Sequence, residues 1–160
     1  MAVVCLFFSI QTIAYGLYGD TWAYAGFVED IKREVKPNER IFMEDVSGRL
    51  AVLTQRRFVP GDGLVGSNEY LHRYLANGLV GDYLADHRIE YFLTSNTQCF
   101  PYRKVMPWTR TIDLIDGRYR VVVDLSYLTR LPLTPSVLYF GEPLIDKCVN
   151  GIRELLFRVQ

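Results

Sequence analysis

Residues 40–93 read RIFMEDVSGRLAVLTQRRFVPGDGLVGSNEYLHRYLANGLVGDYLADHRIEYFL, and this stretch decides the fold. Arg40-Ile41-Phe42-Met43-Glu44 is a short apolar run of the kind that forms a buried strand. Asp45-Val46-Ser47-Gly48 is turn-like, and Arg49 to Thr54 supplies one or two helical turns. Arg57-Phe58-Val59 reads as a second strand, broken at Pro60-Gly61, and Gly61 to Gly66 is a glycine-rich loop. Ser67 or Asn68 then caps a helix whose Tyr70, Leu71, Tyr74 and Leu75 form one apolar stripe. Asn77-Gly78 interrupts it, and a further helix carries Leu79, Val80, Tyr83 and Leu84. Ile89-Glu90-Tyr91-Phe92-Leu93 is a third strand. Strand–helix–strand–helix–strand order is the signature of parallel strands joined by right-handed crossovers. The expected fold is therefore α/β: a three-layer, Rossmann-like, mostly parallel sheet, with residues 20–160 as one domain.

Upstream, the pattern predicts a helix from Trp22 to about Val35, with Trp22, Ala25, Val28 and Ile31 on one face. Asp20 or Thr21 caps its start, and Pro37-Asn38 ends it. Downstream, Asp116-Gly117 lies between two alternating apolar runs. A hairpin is expected there, because a type I′ turn needs positive φ at both central residues. Val137 to Phe140 predicts another strand, Pro143 a helix through about Val149, and Leu155 to Val159 a last strand after Gly151. These C-terminal strands, some antiparallel, are expected to extend one edge of the sheet.

Ala2 to Tyr18 carries no charge, and the first charged residue after it is Asp20. As a helix it would span roughly 25 Å, slightly under a hydrocarbon core of about 30 Å. Residues 1–19 are accordingly expected to be an apolar membrane helix or its C-terminal end. A signal peptide and a buried soluble helix are the rival readings, the first weakened by the lack of a basic residue ahead of the run.

Lys+Arg and Asp+Glu both number 18, so there is no basic surplus to attract a phosphate backbone, and nucleic-acid binding is not expected. Hydrophobic residues make up 49% and charged residues 22%, which suits a folded core. The three cysteines, Cys5, Cys99 and Cys148, include no CxxC pair, so no metal site is expected. With Cys5 in the apolar run, Cys99 and Cys148 are the candidate disulfide; two buried free thiols are the alternative.

No catalytic constellation stands out. The glycine-rich loop lacks both GxxxxGK[ST] and GxGxxG spacing. His72 and His87 fall on expected helices with no nucleophile elbow and no partner at metal-ligand spacing. Glu44 and Asp45, adjacent at a strand end, would point to opposite faces. Arg56-Arg57 reads as a solvated turn. The loops after the first two strands should still meet at the carboxyl edge of the sheet, where α/β ligands bind. Asp45, Ser47, Gly48, Asp62, Gly63 and Asn68 are the candidate ligand-binding residues there.

The order of these features resembles the soluble C-terminal region of polytopic glycosyltransferases that use lipid-linked sugars, the GT-C class, including mannosyltransferase-like and aminoarabinose-transferase-like proteins. The stretches that carry the resemblance are IFMEDVSGRLAVLTQRR, FVPGDGLVGSNEYL and YLADHRIEYFL. Relatives in that class carry an Asp-x-Gly turn, an aromatic soon after, then Asp-x-Asp-Gly-Leu-x-Asn. Gly48, Asp62, Gly63 and Leu64 match, whereas Val52 replaces the aromatic, Pro60 the first Asp and Gly66 the Asn. The class holds its catalytic acid on an early extracytoplasmic loop of the parent chain. The resemblance thus implies a non-catalytic, membrane-anchored domain, a fragment or shortened product lacking the membrane core, on the periplasmic or cell-exterior side. The implied partners are membrane lipid and the missing membrane core; no cofactor is implied. A membrane-anchored module for a small sugar or nucleotide, and a purely structural interaction domain, are the alternative functions.

Overall fold

The computed structural model describes residues 20–43, 48–61, 68–96, 112–124, 133–149 and 151–160. The chain is mixed α/β, with a five-stranded mixed sheet and a second, three-stranded sheet. Helix α1 (Asp20–Glu34) leads into β1 (Arg40–Met43), α2 (Gly48–Thr54) and β2 (Arg57–Pro60). A wide π turn (Tyr70–Tyr74), a 3-10 turn (Leu75–Asn77) and α3 (Val80–Asp86) precede β3 (Tyr91–Asn96). Strands β4 (Ile112–Ile115), β5 (Arg118–Val123) and β6 (Ser136–Phe140) form the small sheet; β7 (Ile145–Val149) and β8 (Ile152–Arg158) return to the large one.

The three parallel strands read from the sequence are present. β1 pairs in parallel with β2 (Ile41↔Phe58) and with β3 (Ile41↔Tyr91, Met43↔Leu93). The sheet order is β2-β1-β3-β8-β7. Because β8 and β7 are antiparallel additions, the sheet is mixed rather than mostly parallel.

Alternation along the strands sends side chains to two separate cores. Ile41, Met43, Tyr91, Leu93 and Leu156 meet Phe27, Val28 and Ile31 of α1, Val35 just beyond it and Leu50 of α2. Phe42, Phe92, Leu155 and Phe157 meet Tyr70, Tyr74, Val80, Tyr83 and Leu84, together with Val121, Val123 and Phe140 of the small sheet. The large sheet is thus the middle layer, covered by α1 and α2 on one face and by α3 and the small sheet on the other. Burial on both faces explains why its strands read as continuous apolar runs.

Several expectations need correction. Ala25 is exposed, and the buried stripe of α1 is Phe27, Val28 and Ile31, continued by Val35 just past its end, a rotation of the same helical period. The helical run expected after Asn68 forms, with Tyr70, Leu71, Tyr74 and Leu75 turned to the core, but as a π turn followed by a 3-10 turn. Asn77 donates its side-chain amide to the carbonyls of His72 and Arg73, and Gly78 takes the left-handed conformation (φ 72°), so the last turns close on these groups instead of propagating an α-helix.

Where Pro143 predicts a helix, the chain forms β7. Ile145 and Val149, four apart, suit a helix and one face of a strand equally, and pairing with β8 (Ile145↔Leu156, Val149↔Ile152) decides for the strand. The hairpin at Asp116-Gly117 forms as expected, with φ of 50° and 73° at the two central residues, but it belongs to the small sheet and does not extend the large one.

Among the described residues no helix is long and apolar enough to cross a membrane. The apolar run expected to do so, within residues 1–19, lies outside the described residues.

Candidate functional site at the carboxyl edge of the sheet

Three connections leave the carboxyl ends of the parallel strands: residues 44–47 after β1, 62–67 after β2 and 97–111 after β3. The crossover from β1 to β2 runs through α2 on one face of the sheet, and that from β2 to β3 runs through α3 on the other, so the connections of the neighbouring strands β1 and β2 lead to opposite faces. In open α/β sheets that is where a crevice forms and ligands bind.

The roots of the first two loops are built together. Met43 stands opposite Pro60, and the Gly61 N–H donates to the Met43 carbonyl at 2.8 Å. The Tyr70 hydroxyl donates to the Gly61 carbonyl at 3.1 Å. Gly61 is buried, and a Cβ there would lie 2.0 Å from Cζ of Phe42. Glycine is therefore demanded by close approach of the Phe42 ring. That ring stacks on Phe92 with centroids 5.4 Å apart and touches Tyr70 and Tyr83. Tyr83 in turn packs on Tyr70 (4.6 Å) and Tyr74 (5.2 Å), so an aromatic floor lies beneath the edge. Burial pushes the Tyr83 hydroxyl above its ordinary value, and the bond from the Tyr74 hydroxyl to Asp86 (2.8 Å) does the same for Tyr74.

Of the candidate residues, Asp45, Ser47, Asp62 and Gly63 lie outside the described residues. Gly48 opens α2, and Asn68 is exposed at the start of the helical run that leads into Tyr70. The structure brings together the strand ends from which the loops depart.

The same edge carries groups that sequence reasoning missed. Ser95 of β3, Glu154 of β8 and Lys147 of β7 stand opposite one another across the sheet. Glu154 is buried, with 3% exposure, and accepts a hydrogen bond from the Ser95 hydroxyl at 2.7 Å. Nothing in Arg153-Glu154-Leu155 distinguishes it from a surface acid; the signal would have been the pairing of β8 between two other strands. Lys147 reaches across to Asp30 of α1 at 2.8 Å. On the other face Arg153 forks onto both carboxylate oxygens of Asp146, with Nε 2.7 Å from Oδ1.

The hydrogen bond and charge of Lys147 hold Asp30 below the usual carboxylate range, as Arg153 does Asp146. A carboxylate so depressed adds stability in full above its unfolded value of about 4 and loses it as pH falls through the lower folded value. Unfolding free energies from urea titration should therefore drop as pH falls below about 4, by less than about 1 kcal/mol per pair because both are partly solvated. The Asp30→Asn and Asp146→Asn variants should each flatten that profile, and an unchanged slope in the double variant would contradict the assignment.

Arg56 is not the solvated turn residue that its neighbour suggests. It is half-buried and donates to the carbonyls of Val35 (2.6 Å), Lys32 (2.9 Å) and Thr54 (3.2 Å), closing the C-terminus of α1; Arg57 is exposed. His72 is exposed, and His87 is half-buried with its ring 4.3 Å from that of Tyr83. Among the described residues no three His, Cys, Asp or Glu side chains are grouped so as to hold a metal ion. Glu44 lies outside the described residues. Cys148 is exposed near the end of β7 and is disulfide-bonded, so it is not a buried free thiol. In comparisons with known proteins, no family model, no curated protein and no solved structure matches this chain.

Proposed function

We propose that this chain is a non-catalytic extracytoplasmic domain of a membrane glycosyltransferase-like protein, accessory to transfer of a sugar from a polyprenyl-phosphate donor. The observation that carries the reading is the joint origin of the two motif loops. The turn ending in Gly48 and the Asp62-Gly63-Leu64 loop depart from adjacent strand ends tied by the Gly61–Met43 hydrogen bond. The disulfide of Cys148 supports the extracytoplasmic side, since such bonds persist in oxidising compartments. A second reading, a module that holds a small sugar or nucleotide at this edge, draws on the connections of β1 and β2 to opposite faces of the sheet.

The test is to incubate the purified chain with a panel of polyprenyl-phosphate sugars, following product by mass spectrometry and binding by NMR line broadening. The expected result is binding without turnover, weakened at least tenfold in Asp62→Asn. Turnover abolished by Asp62→Asn would make the loop an active site and overturn the accessory role. Binding of free sugars or nucleotides with no preference for the lipid-linked form would select the second reading. Absence of all binding would remove both.

A further inference from the structure

We infer that Arg40 and Arg57, side by side at the amino edge of the parallel strands, form a binding site for a phosphate group. The two are register partners at the starts of β1 and β2. Phe42 and Val59 belong to the core on the α3 face, so alternation sends Arg40 and Arg57 to that same face, where both are exposed. Strand backbones about 4.8 Å apart bring the two cations together, and like charges directly opposite one another destabilise a sheet. Among the described residues no acid forms an ion pair with either. Glu90 accepts from the Arg40 backbone N–H at 2.7 Å, and Glu39 from the Lys36 N–H and the Tyr91 hydroxyl. Asp86 accepts from the Tyr74 hydroxyl, and Glu69 pairs with Arg73. Exposed Lys36, Arg88 and Arg158 stand at the same edge, so a chain of zero net charge carries a positive corner here.

The Arg40 guanidinium is already held in place. Its Nη1 donates to the His87 carbonyl at 2.9 Å, at the C-terminal end of α3, and its other N–H groups meet no acceptor among the described residues. The Arg57 side chain makes no hydrogen bond or ion pair among the described residues. The His87 ring lies against Tyr83, whose hydroxyl sits in the field of Arg40 and has no hydrogen-bond partner among the described residues either. Burial keeps that hydroxyl protonated, hence a donor. The corner thus offers two guanidinium forks and a phenol with no protein acceptor to share. A phosphate monoester has more oxygens and more charge than a carboxylate, so it can meet both forks at once and relieve their repulsion. A soluble phosphate ester and a lipid headgroup both supply that group.

This site lies at the opposite edge of the sheet from the loops of the glycosyltransferase reading and does not rest on it. The full chain would be titrated with pyrophosphate, followed by amide NMR signals and by Tm. It would also be sedimented with vesicles of phosphatidylcholine, with and without phosphatidylglycerol. Arg57→Gln is the decisive variant because it breaks no contact, whereas Arg40→Gln also loses the bond to His87. Arg118→Gln, at the exposed start of β5, is the control. The expected result is that pyrophosphate moves the amide signals of Arg40, Arg57 and His87 and raises Tm by about 2–4 °C. Arg57→Gln should weaken binding at least tenfold while its Tm without ligand stays level or rises, and Arg118→Gln should bind as the parent does. Retention on phosphatidylglycerol vesicles above the phosphatidylcholine background, lost in Arg57→Gln and without a response to pyrophosphate, would identify the phosphate as a headgroup. A response to pyrophosphate alone would identify a soluble ester. Binding in neither arm, or binding that Arg57→Gln leaves intact or weakens no more than Arg118→Gln does, would overturn the site.

Discussion

Gly61→Ala should destabilise the chain by about 3 kcal/mol, the upper part of the range for overpacking a filled core. In Tm that is a fall of about 6–12 °C for a chain of this size. The added methyl has no free direction. It would meet the Phe42 ring at 2.0 Å, and that ring is fully buried against Phe92, Tyr70 and Tyr83. Moving the backbone instead would stretch the Gly61 N–H bond to Met43 and the Tyr70 bond to the Gly61 carbonyl. The control is a double-mutant cycle with Phe42→Leu. Shortening the ring makes room, so the two changes together should be less destabilising than their sum. An unfolding free energy for Gly61→Ala, from urea titration, within about 0.5 kcal/mol of the parent's, the range of a neutral surface substitution, would mean that Phe42 does not hold this position.

Arg56→Ala should lower stability by about 2 kcal/mol, the range for hydrogen bonds made by a charged donor. The guanidinium joins three carbonyls, two of them at the C-terminus of α1 where the helix dipole leaves partial negative charge. Removing it strands those acceptors at the junction of α1, α2 and β2. Arg56→Lys is the informative comparison. It keeps the charge but loses the planar fork, so it should recover less than half of the loss. Full recovery by lysine would assign the effect to charge alone, and hydrogen exchange would then show no faster opening of the last turn of α1.

The parallel half of the fold was legible because its signals are local. Apolar runs at Ile41–Met43, Phe58–Val59 and Tyr91–Leu93, each followed by turn chemistry, leave few alternatives. The Asp116-Gly117 hairpin was legible for the same reason, since its turn type is written in two residues. Sheet membership was not. Whether a hairpin extends one sheet or starts another depends on which apolar faces meet, and Val121, Val123 and Phe140 find theirs on the far side of the large sheet. β7 was hidden by Ile145 and Val149, whose spacing satisfies two periods at once, and by a proline that suits a first helical turn. At the candidate site the glycine at position 61 was visible, but its reason, the Phe42 ring, lies on another strand. Glu154 and Arg56 were missed because burial of a charge is decided by partners distant in sequence.

The interior position of β8 sets the order in which this molecule can be made. It lies between β3 and β7, and its pairing joins Tyr91 to Arg158 and Asn96 to Arg153. Until β8 is in place, β3 presents an open edge of unpaired backbone groups beside Phe92 and Leu93, the type of edge that recruits strands from other chains. The β1–β2–β3 unit can therefore assemble early but cannot close its sheet before the C-terminal strand arrives. Such long-range closure slows folding and lengthens exposure to aggregation. Nascent chains stalled before β8 should be the ones that a holdase captures, and dilute, cool refolding should favour recovery of the full chain.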